Sequence, residues 1–569
     1  MRLVVGATAL VFLIVLVRVV YLQTVGAEAL LEAGRAQRVT ESVLVAKRGT
    51  IFARDGGELA LSVPSSTVFA DPRLVTDPVG TASSLAAVLA LSPEKQQALA
   101  DAFTRKEKAF VYVARQIDDS LADVVMSMQL PGVDVLTEEK RIMPSGEVGR
   151  SILGRTDIDG IGIAGLERQF EELLKGVDGE RVRERDVEGR SIPGSGTTTV
   201  EPIPGVDLVL TIDRSLQFQV ERELLARVDE LKAKGGTVIV LDTATGDILS
   251  MANVTRDSSG LAEVSSANLA VVEAFEPGSV AKVFSLSAVV DNGAAQPDSA
   301  IDVPGSMVFN DGTEWRQEIF DAKPHGVQRM TLRDIIVDSS NIGTLLFTEK
   351  VGTDRFAEYL RLFGFGEKTP LQFPDESAGR MKPAREWQGA EPATISYGYG
   401  YTTTALQLVA GVNAVANGGL YVAPRLLAGT IDTGGTVQEQ PASATRRVIR
   451  EESAATMTDM LVDVVCRGTG RDARLGTVSV AGKTGTAYKV QGANYGAEGS
   501  RQYRASFVGY FPAVAPRVTV LVTIDEPDPL SNDRFGGKAA APLFARIAAA
   551  AINELAITPT PGDQGCAGR

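Results

Sequence analysis

Residues 3–17 form an unbroken run of apolar or small side chains, and the run resumes after Arg18 with Val19, Val20, Tyr21 and Leu22. About 20 such residues cross a bilayer, so the pattern predicts a transmembrane helix over residues 1–23, with Arg18 near enough to one end to reach the interface. Val25-Gly26-Ala27 also fits a signal-peptide cleavage pattern, but the length of the apolar run favours a retained anchor. Only Arg2 precedes the run, which leaves the charge bias that would orient it weak. Residues 28–37 then read as a short amphipathic helix. Asp55-Gly56 between alternating residues predicts a hairpin. Residues 81–103 and 117–128 read as helices and 133–136 as a strand. The Gly-, Pro-, Ser- and Thr-rich stretch 189–205 marks an interdomain linker.

Beyond residue 207 the pattern changes to strands at both ends with helices between them. Residues 237–242 and 247–253 flank a turn at Ala244-Thr245-Gly246. Residues 506–511 and 517–524 alternate apolar and polar around a Pro-bounded turn, residues 477–481 read as a further strand, and an Ala-rich helix covers 540–555. Strands from the two ends of one domain join most simply in one antiparallel sheet with the intervening helices packed on it. The fold class is therefore α+β. Residues 1–23 form the anchor, 24–200 an elongated first domain, 201–556 the sheet domain and 557–569 a flexible tail.

Composition narrows the chemistry. The chain has 569 residues, 57 Lys and Arg against 71 Asp and Glu, a net charge of −14 and one histidine. An acidic chain lacks the clustered cations that nucleic-acid binding needs. One histidine, His325, and two well-separated cysteines, Cys466 and Cys566, exclude zinc sites of the His/Cys type and a disulfide framework. A Ser-His-Asp hydrolase would have to use His325, which reads instead as a loop residue. The reactive groups are expected to be Ser, Lys, Asp, Glu or Tyr.

A dinucleotide fingerprint is present on paper at Gly160-Ile161-Gly162-Ile163-Ala164-Gly165. No buried strand precedes it and no βαβ unit surrounds it, so it reads as a Gly-rich turn into a helix over 166–174. The informative segment is Glu276-Pro277-Gly278-Ser279-Val280-Ala281-Lys282. Pro-Gly breaks the chain and a helix follows, with Val280, Val283, Phe284 and Leu286 as its apolar face. Ser279 then sits at a helix start, and Lys282, three residues on, shares its face. A neutral lysine there can take the proton of a serine nucleophile. Taken alone, Ser-x-x-Lys arises often on solvated helices where the serine merely caps. Two further elements change its weight. Thr331 to Asp334 reads as a capping box opening a short helix, followed by the turn Asp338-Ser339-Ser340-Asn341. Gly482-Lys483-Thr484-Gly485-Thr486 is placed directly after the strand 477–481, where an edge strand can pair with a peptide substrate.

Ser-x-x-Lys, Ser-x-Asn and Lys-Thr-Gly, in this order, are the signature of β-lactamases and penicillin-binding proteins. The chain resembles a class B penicillin-binding protein over nearly its whole length. The anchor, Arg48-Gly49-Thr50-Ile51-Phe52 with Asp55-Gly56, Arg141-Ile142-Met143-Pro144, and the stretch 162–167 look like the pedestal motifs of that class. Ser396-Tyr397-Gly398-Tyr399-Gly400-Tyr401 with Leu406-Gln407, and Gly536-Gly537 before Ala541-Pro542-Leu543-Phe544, resemble the division-specific, FtsI-type subgroup; elongation-specific relatives carry glutamine between those glycines. A cytoplasmic tail ahead of Arg2 is missing from that pattern, which points to a mis-called start.

The resemblance implies a transmembrane helix, an elongated pedestal and a serine penicillin-recognising transpeptidase domain whose central antiparallel sheet carries helices on both faces. It implies cross-linking of peptidoglycan stem peptides through a serine acyl-enzyme that needs no metal and no organic cofactor, with β-lactam antibiotics acylating the same site. By the same resemblance Ser279 is the nucleophile, Lys282 its base, Ser339 a proton relay and Asn341 a holder of substrate and Lys282. Lys483 supplies positive potential, while Thr484, Gly485 and Thr486 form the substrate-binding strand. Expected partners are a SEDS-family membrane glycosyltransferase, other divisome proteins and the membrane, with the catalytic domain outside the cytoplasm and no nucleic acid. Rival readings are an elongation-type enzyme, a β-lactamase, a β-lactam sensor and a silent divisome scaffold. A Cys466–Cys566 bridge is open to an extracytoplasmic chain, with unpaired thiols the expected state.

Overall fold

The computed structural model describes residues 1–24, 39–184, 198–309, 312, 316–476, 478–492, 495–496, 500–560, 563 and 565–567. The predicted helix at 28–37 and most of the predicted linker lie outside them. The chain divides into two compact units, one of residues 1–49, 62–140 and 175–206, the other of 50–61, 141–174 and 207–569.

The first unit opens with helix α1 (Arg2–Gln23), 22 residues long, apolar enough to cross a membrane once and with no buried residue. Its small core gathers Val68, Leu85, Phe103, Val113 and Val125. The helix expected over 81–103 is two helices, Pro78–Leu89 and Pro93–Phe103. Ala90 turns left-handed, and the Ser92 hydroxyl caps a new helix that opens on Pro93, whose ring cannot continue the old one. The helix expected from residue 117 starts at Asp119, because Ile117 closes the strand Val111–Ile117. Within the stretch assigned to the linker, Thr198–Val200 pairs with the strand Gly179–Glu184, which in turn pairs with Val39–Leu44.

The second unit is built on one six-stranded antiparallel sheet. In chain order its elements are helix α2 (Arg214–Glu230), strands β1 (Gly235–Asp242), β2 (Ile248–Arg256) and β3 (Ala262–Val264), helix α3 (Ala281–Asp291), and strand β4 (Gln317–Phe320), which lies outside the main sheet. Helices α4 (Leu332–Asp338), α5 (Asn341–Thr348), α6 (Ala405–Ala416) and α7 (Glu451–Cys466) follow. Strands β5 (Ala481–Tyr488), β6 (Tyr503–Phe511) and β7 (Val518–Asp525) and helix α8 (Ala541–Glu554) complete it. The sheet order is β3-β2-β1-β7-β6-β5, so strands from both ends of the domain meet at β1 and β7, as the pattern predicts, and β5 is an edge.

Both faces of the sheet are covered. Val238, Val240, Val520 and Val522 point to one core, where they meet Val220 and Leu224 of α2 and Leu543 and Phe544 of α8. Ile239, Leu241, Val508 and Leu521 point to the other, with Phe284, Leu286, Val409 and Val412. Successive residues of a strand face opposite sides, so a strand covered on both must be apolar throughout. For that reason β7 is buried along its full length rather than alternating.

Two expectations change here. Residues 478–481 are not a separate strand before the Lys-Thr-Gly motif; the strand begins at Ala481 and carries the motif within it, and Thr477 lies outside the described residues. Cys466, the last residue of α7, is disulfide-bonded to Cys566 with the Cα atoms 5.3 Å apart, against the expectation of unpaired thiols. The segment beyond α8 is further held by Asp563, which accepts hydrogen bonds of 2.9 Å from both the amide and the hydroxyl of Ser479.

Candidate active site

Three local structures bring the predicted residues together. Gly278 to Val280 form a 3-10 turn that leads into α3, so Ser279 stands half-buried at the helix entry and Lys282 lies within the first turn. The turn is packed tightly enough to demand glycine on both sides. Gly398 has φ +98, and a Cβ on it would lie 2.0 Å from the Gly278 carbonyl oxygen, while Gly278 itself has φ +55. The tyrosine-glycine run therefore acts as the floor under the Ser279 turn.

The second structure is the junction between α4 and α5. Thr331 and Asp334 form the predicted capping box at the start of α4. Ser339 ends that helix in the left-handed conformation, φ 62 and ψ 41, and Ser340 caps α5. This abrupt turn exposes both the carbonyl and the hydroxyl of Ser339 to Lys282. Lys282 Nζ donates to Ser339 O at 2.5 Å, to Asn341 Oδ1 at 2.7 Å and to Ser339 Oγ at 3.1 Å.

The third is β5. Lys483 Nζ donates to Ser339 Oγ and to Thr484 O, each at 3.0 Å. Thr484 Oγ1 and Thr469 Oγ1 lie 2.7 Å apart, and Thr486 Oγ1 accepts from Gly536 N at 3.1 Å. Gly485 lets the strand close on the Ser279 turn, since a Cβ there would lie 2.8 Å from Val280 Cγ2. The Ser339 hydroxyl thus stands between the two lysines.

Both ammonium groups are 0% exposed, and the atoms that receive their hydrogen bonds are hydroxyl, amide and carbonyl oxygens. Burial disfavours the charged form, so Lys282 is pushed well below the ordinary lysine value, and the nearby Lys483 charge pushes it further against the pull of Asp321. Burial brings Lys483 down to about 7. Among the described residues no group of His, Cys, Asp and Glu is arranged to hold a metal ion.

All eight predicted residues fall in this one neighbourhood. The sequence reading missed Thr469, which meets Thr484 from just beyond the end of α7, and Asp321, which underlies the Ser-x-Asn turn. Neither carries a local pattern; each reaches the site through a long-range contact.

A sheet covered on both faces, with its edge strand closing on a Ser-x-x-Lys turn, is the architecture of the penicillin-recognising serine enzymes. Residues 236–549 match the family described as Penicillin binding protein transpeptidase domain, and residues 43–210 match the Penicillin-binding Protein dimerisation domain. The chain belongs to the class B penicillin-binding proteins, which combine these two domains. It is 32% identical to Penicillin-binding protein PbpB of Mycolicibacterium smegmatis, over 97% of this chain and 90% of that one. It is 30% identical to Peptidoglycan D,D-transpeptidase FtsI of Escherichia coli, over 98% and 93% of the two chains. The crystal structure of penicillin-binding protein 3 from Mycobacterium tuberculosis complexed with aztreonam superposes with a TM-score of 0.69 at 27% identity, covering 92% of this chain and 99% of that one.

Proposed function

We propose that this protein is a peptidoglycan D,D-transpeptidase that cross-links stem peptides through a Ser279 acyl-enzyme and is acylated at the same serine by β-lactams. The observation that carries the reading is Lys282: a fully buried ammonium, held by Ser339 and Asn341, depressed toward the neutral form and one helical turn from Ser279. Neutral Lys282 takes the Ser279 proton as Oγ attacks the carbonyl carbon of the penultimate D-Ala. The backbone N–H groups of Ser279 and Thr486 receive the developing oxyanion, a device worth about 3–4 kcal/mol per donor. The C–N bond then breaks, and the proton passes from Lys282 through Ser339 Oγ to the departing D-Ala amine. An acceptor amine attacks the ester; as the C–O bond breaks, the amine's proton returns by the same route to Ser279 Oγ. Lys483 supplies positive potential, and Thr484 and Thr486 hold the donor carboxylate along β5.

The relatives named FtsI and PbpB support a septal role in division. The chain is a single-pass membrane protein through α1. We place its catalytic unit outside the cytoplasm, beside a SEDS-family membrane glycosyltransferase, with Arg18 facing that partner or the headgroups. Fluorescent-penicillin labelling of the purified protein tests the acyl-enzyme: a band in the wild type and none in Ser279→Ala is the expected result. Amino-terminal sequencing of the mature protein tests the anchor, and a start at Glu28 would overturn it.

A further inference from the structure

The loop after β4 reaches into the Ser-x-Asn turn. Asp321 Oδ1 accepts from Asn341 N at 2.6 Å and from Ile342 N at 3.0 Å, and Oδ2 accepts from Ser340 Oγ at 2.6 Å. Asn341 Nδ2 donates to Phe320 O at 2.8 Å, which fixes the amide so that its oxygen, not its nitrogen, faces Lys282 at 2.7 Å. The backbone and the side chain of Asn341 are both set from residues 320–321.

His325 closes this loop. Its Nε2 lies 3.0 Å from Asp321 Oδ2, and its Nδ1 lies 2.5 Å from the Gly326 carbonyl oxygen. A carboxylate and a carbonyl both accept and neither donates. The two contacts are therefore satisfied together only by the imidazolium, which carries a proton on each nitrogen. The neutral ring must give up one of them. Two backbone amides and a hydroxyl also donate to the Asp321 side chain, so toward His325 it stands as an acceptor. Both side chains are largely buried, 12% exposed for His325 and 6% for Asp321. The ring borders an open pocket of about 560 Å³ shared with Phe320 and Val327, so its proton exchanges with solvent.

We infer that Asp321 and His325 are positioning residues that form a protonation-sensitive clamp, holding Asn341, and through it Lys282, in place for acylation. Asp321 is the charged group that faces His325; Lys323 on the same loop is exposed, and across the turn Asp321 acts on Lys282, which also feels Lys483. The hydrogen bond to Asp321 and then that to Gly326 raise the His325 value above its ordinary one, against burial. A raised value in the folded state means the clamp is complete below the ordinary histidine value of about 6.5 and loosens as pH rises through the folded value.

The inference rests on the acyl-enzyme reading, and its test separates the two. The second-order rate of penicillin acylation is measured against pH for the full-length protein in detergent and for His325→Gln, which donates but never carries charge. Lys282 and Lys483 titrate in both proteins, so the ratio of the two rates isolates His325. The wild type is expected to be faster by about tenfold at about pH 6, with the ratio falling toward one above about pH 8.5. A ratio that does not change with pH overturns the clamp. Independently of activity, His325 is the only histidine in the chain, so its single ring resonance can be titrated by NMR in selectively labelled protein. A midpoint above about 6.5 that falls in Asp321→Asn is expected, and a wild-type midpoint at or below that value overturns the inference. Labelling absent from every protein, wild type included, would instead defeat the acyl-enzyme reading, and the titration would still decide the pair.

Discussion

Lys483 and Lys489 lie six positions apart along one strand and its extension, yet their surroundings are opposite. Lys483 Nζ meets the Ser339 hydroxyl and the Thr484 carbonyl. Lys489 Nζ, just past the end of β5, meets Asp525 at 2.7 and 2.9 Å and Glu526 at 2.6 Å. Arg504 joins the second cluster, 2.6 Å from Glu273 and 3.0 Å from Asp525. At the first end no carboxylate among the described residues bonds either ammonium, so burial goes uncompensated and both lysines drift toward neutrality. At the second end burial works to raise Glu526, and the ammoniums of Lys489 and Lys234 outweigh it, leaving the carboxyl lowered. The contrast shows that the residue type sets neither role. Neutral oxygens around a buried lysine prepare it to move protons, whereas carboxylates lock it into the fold.

The largest difference between the two ends is expected at Ser279. Ser279→Ala is expected to abolish covalent penicillin labelling, read by gel fluorescence, while its melting curve stays near that of the wild type; robust labelling of the folded variant would defeat the assignment. Lys282→Ala should lower the acylation rate by about 10²–10⁴-fold, the usual contribution of a general base, and the double variant should be as unlabelled as Ser279→Ala. Because burial favours neutral Lys282 in the folded state, the unfolded chain binds the extra proton. Stability therefore rises with pH between the lowered folded value and the ordinary lysine value of about 10.4. Lys282→Met should weaken that dependence, leaving the part that buried Lys483 contributes, and melt no lower than the wild type at neutral pH, which thermal melts across pH would check.

A smaller effect is expected on β5. Replacing Thr484 and Thr486 together with valine should slow acylation at least about tenfold, through lost hydrogen bonds to a carboxylate. The Gly536 amide also loses its acceptor, so a modest fall in melting temperature should accompany it. An unchanged second-order rate would move the carboxylate site elsewhere. The smallest effect on acylation belongs to the other lysine. Lys489→Met should leave the rate within about twofold, yet cost about 2 kcal/mol of stability, a buried-pair loss reduced by partial exposure and by the remaining cations. The lowered Glu526 contributes stability above its ordinary value of about 4.3, which is lost as pH falls through its folded value. Acid denaturation should therefore begin at a different pH in Lys489→Met than in the wild type. Equal acid midpoints would show that the second cluster is not charge-locked.

Local patterns are legible wherever one segment carries its own reason. The run 3–22 needs only length and apolarity to be a helix that can span a membrane, and the capping box at Thr331 and Asp334 closes over four residues. The meeting of strands from both ends of the domain follows from their apolarity, and the three motifs point to the chemistry because their spacing places each at a break between elements. Helix ends are less legible: Ser92-Pro93 divides one apparent helix in two. The Lys-Thr-Gly motif reads as following a strand and lies inside one, since a glycine-containing segment pairs here with β6 over its whole length.

The sequence by itself determined a helix apolar enough to cross a membrane, the α+β class and the motifs that carry the candidate serine and lysines, because those depend on periodicity, caps and short spacing. The tertiary structure alone decided that Lys282 and Lys483 share the Ser339 hydroxyl, that Cys466 meets Cys566, and that Asp321 and His325 stand behind Asn341. Each of these joins residues across a turn or a chain reversal that no local pattern encodes. Their energies come from burial and from the identity of the nearest oxygen, and both are set only once distant segments have packed.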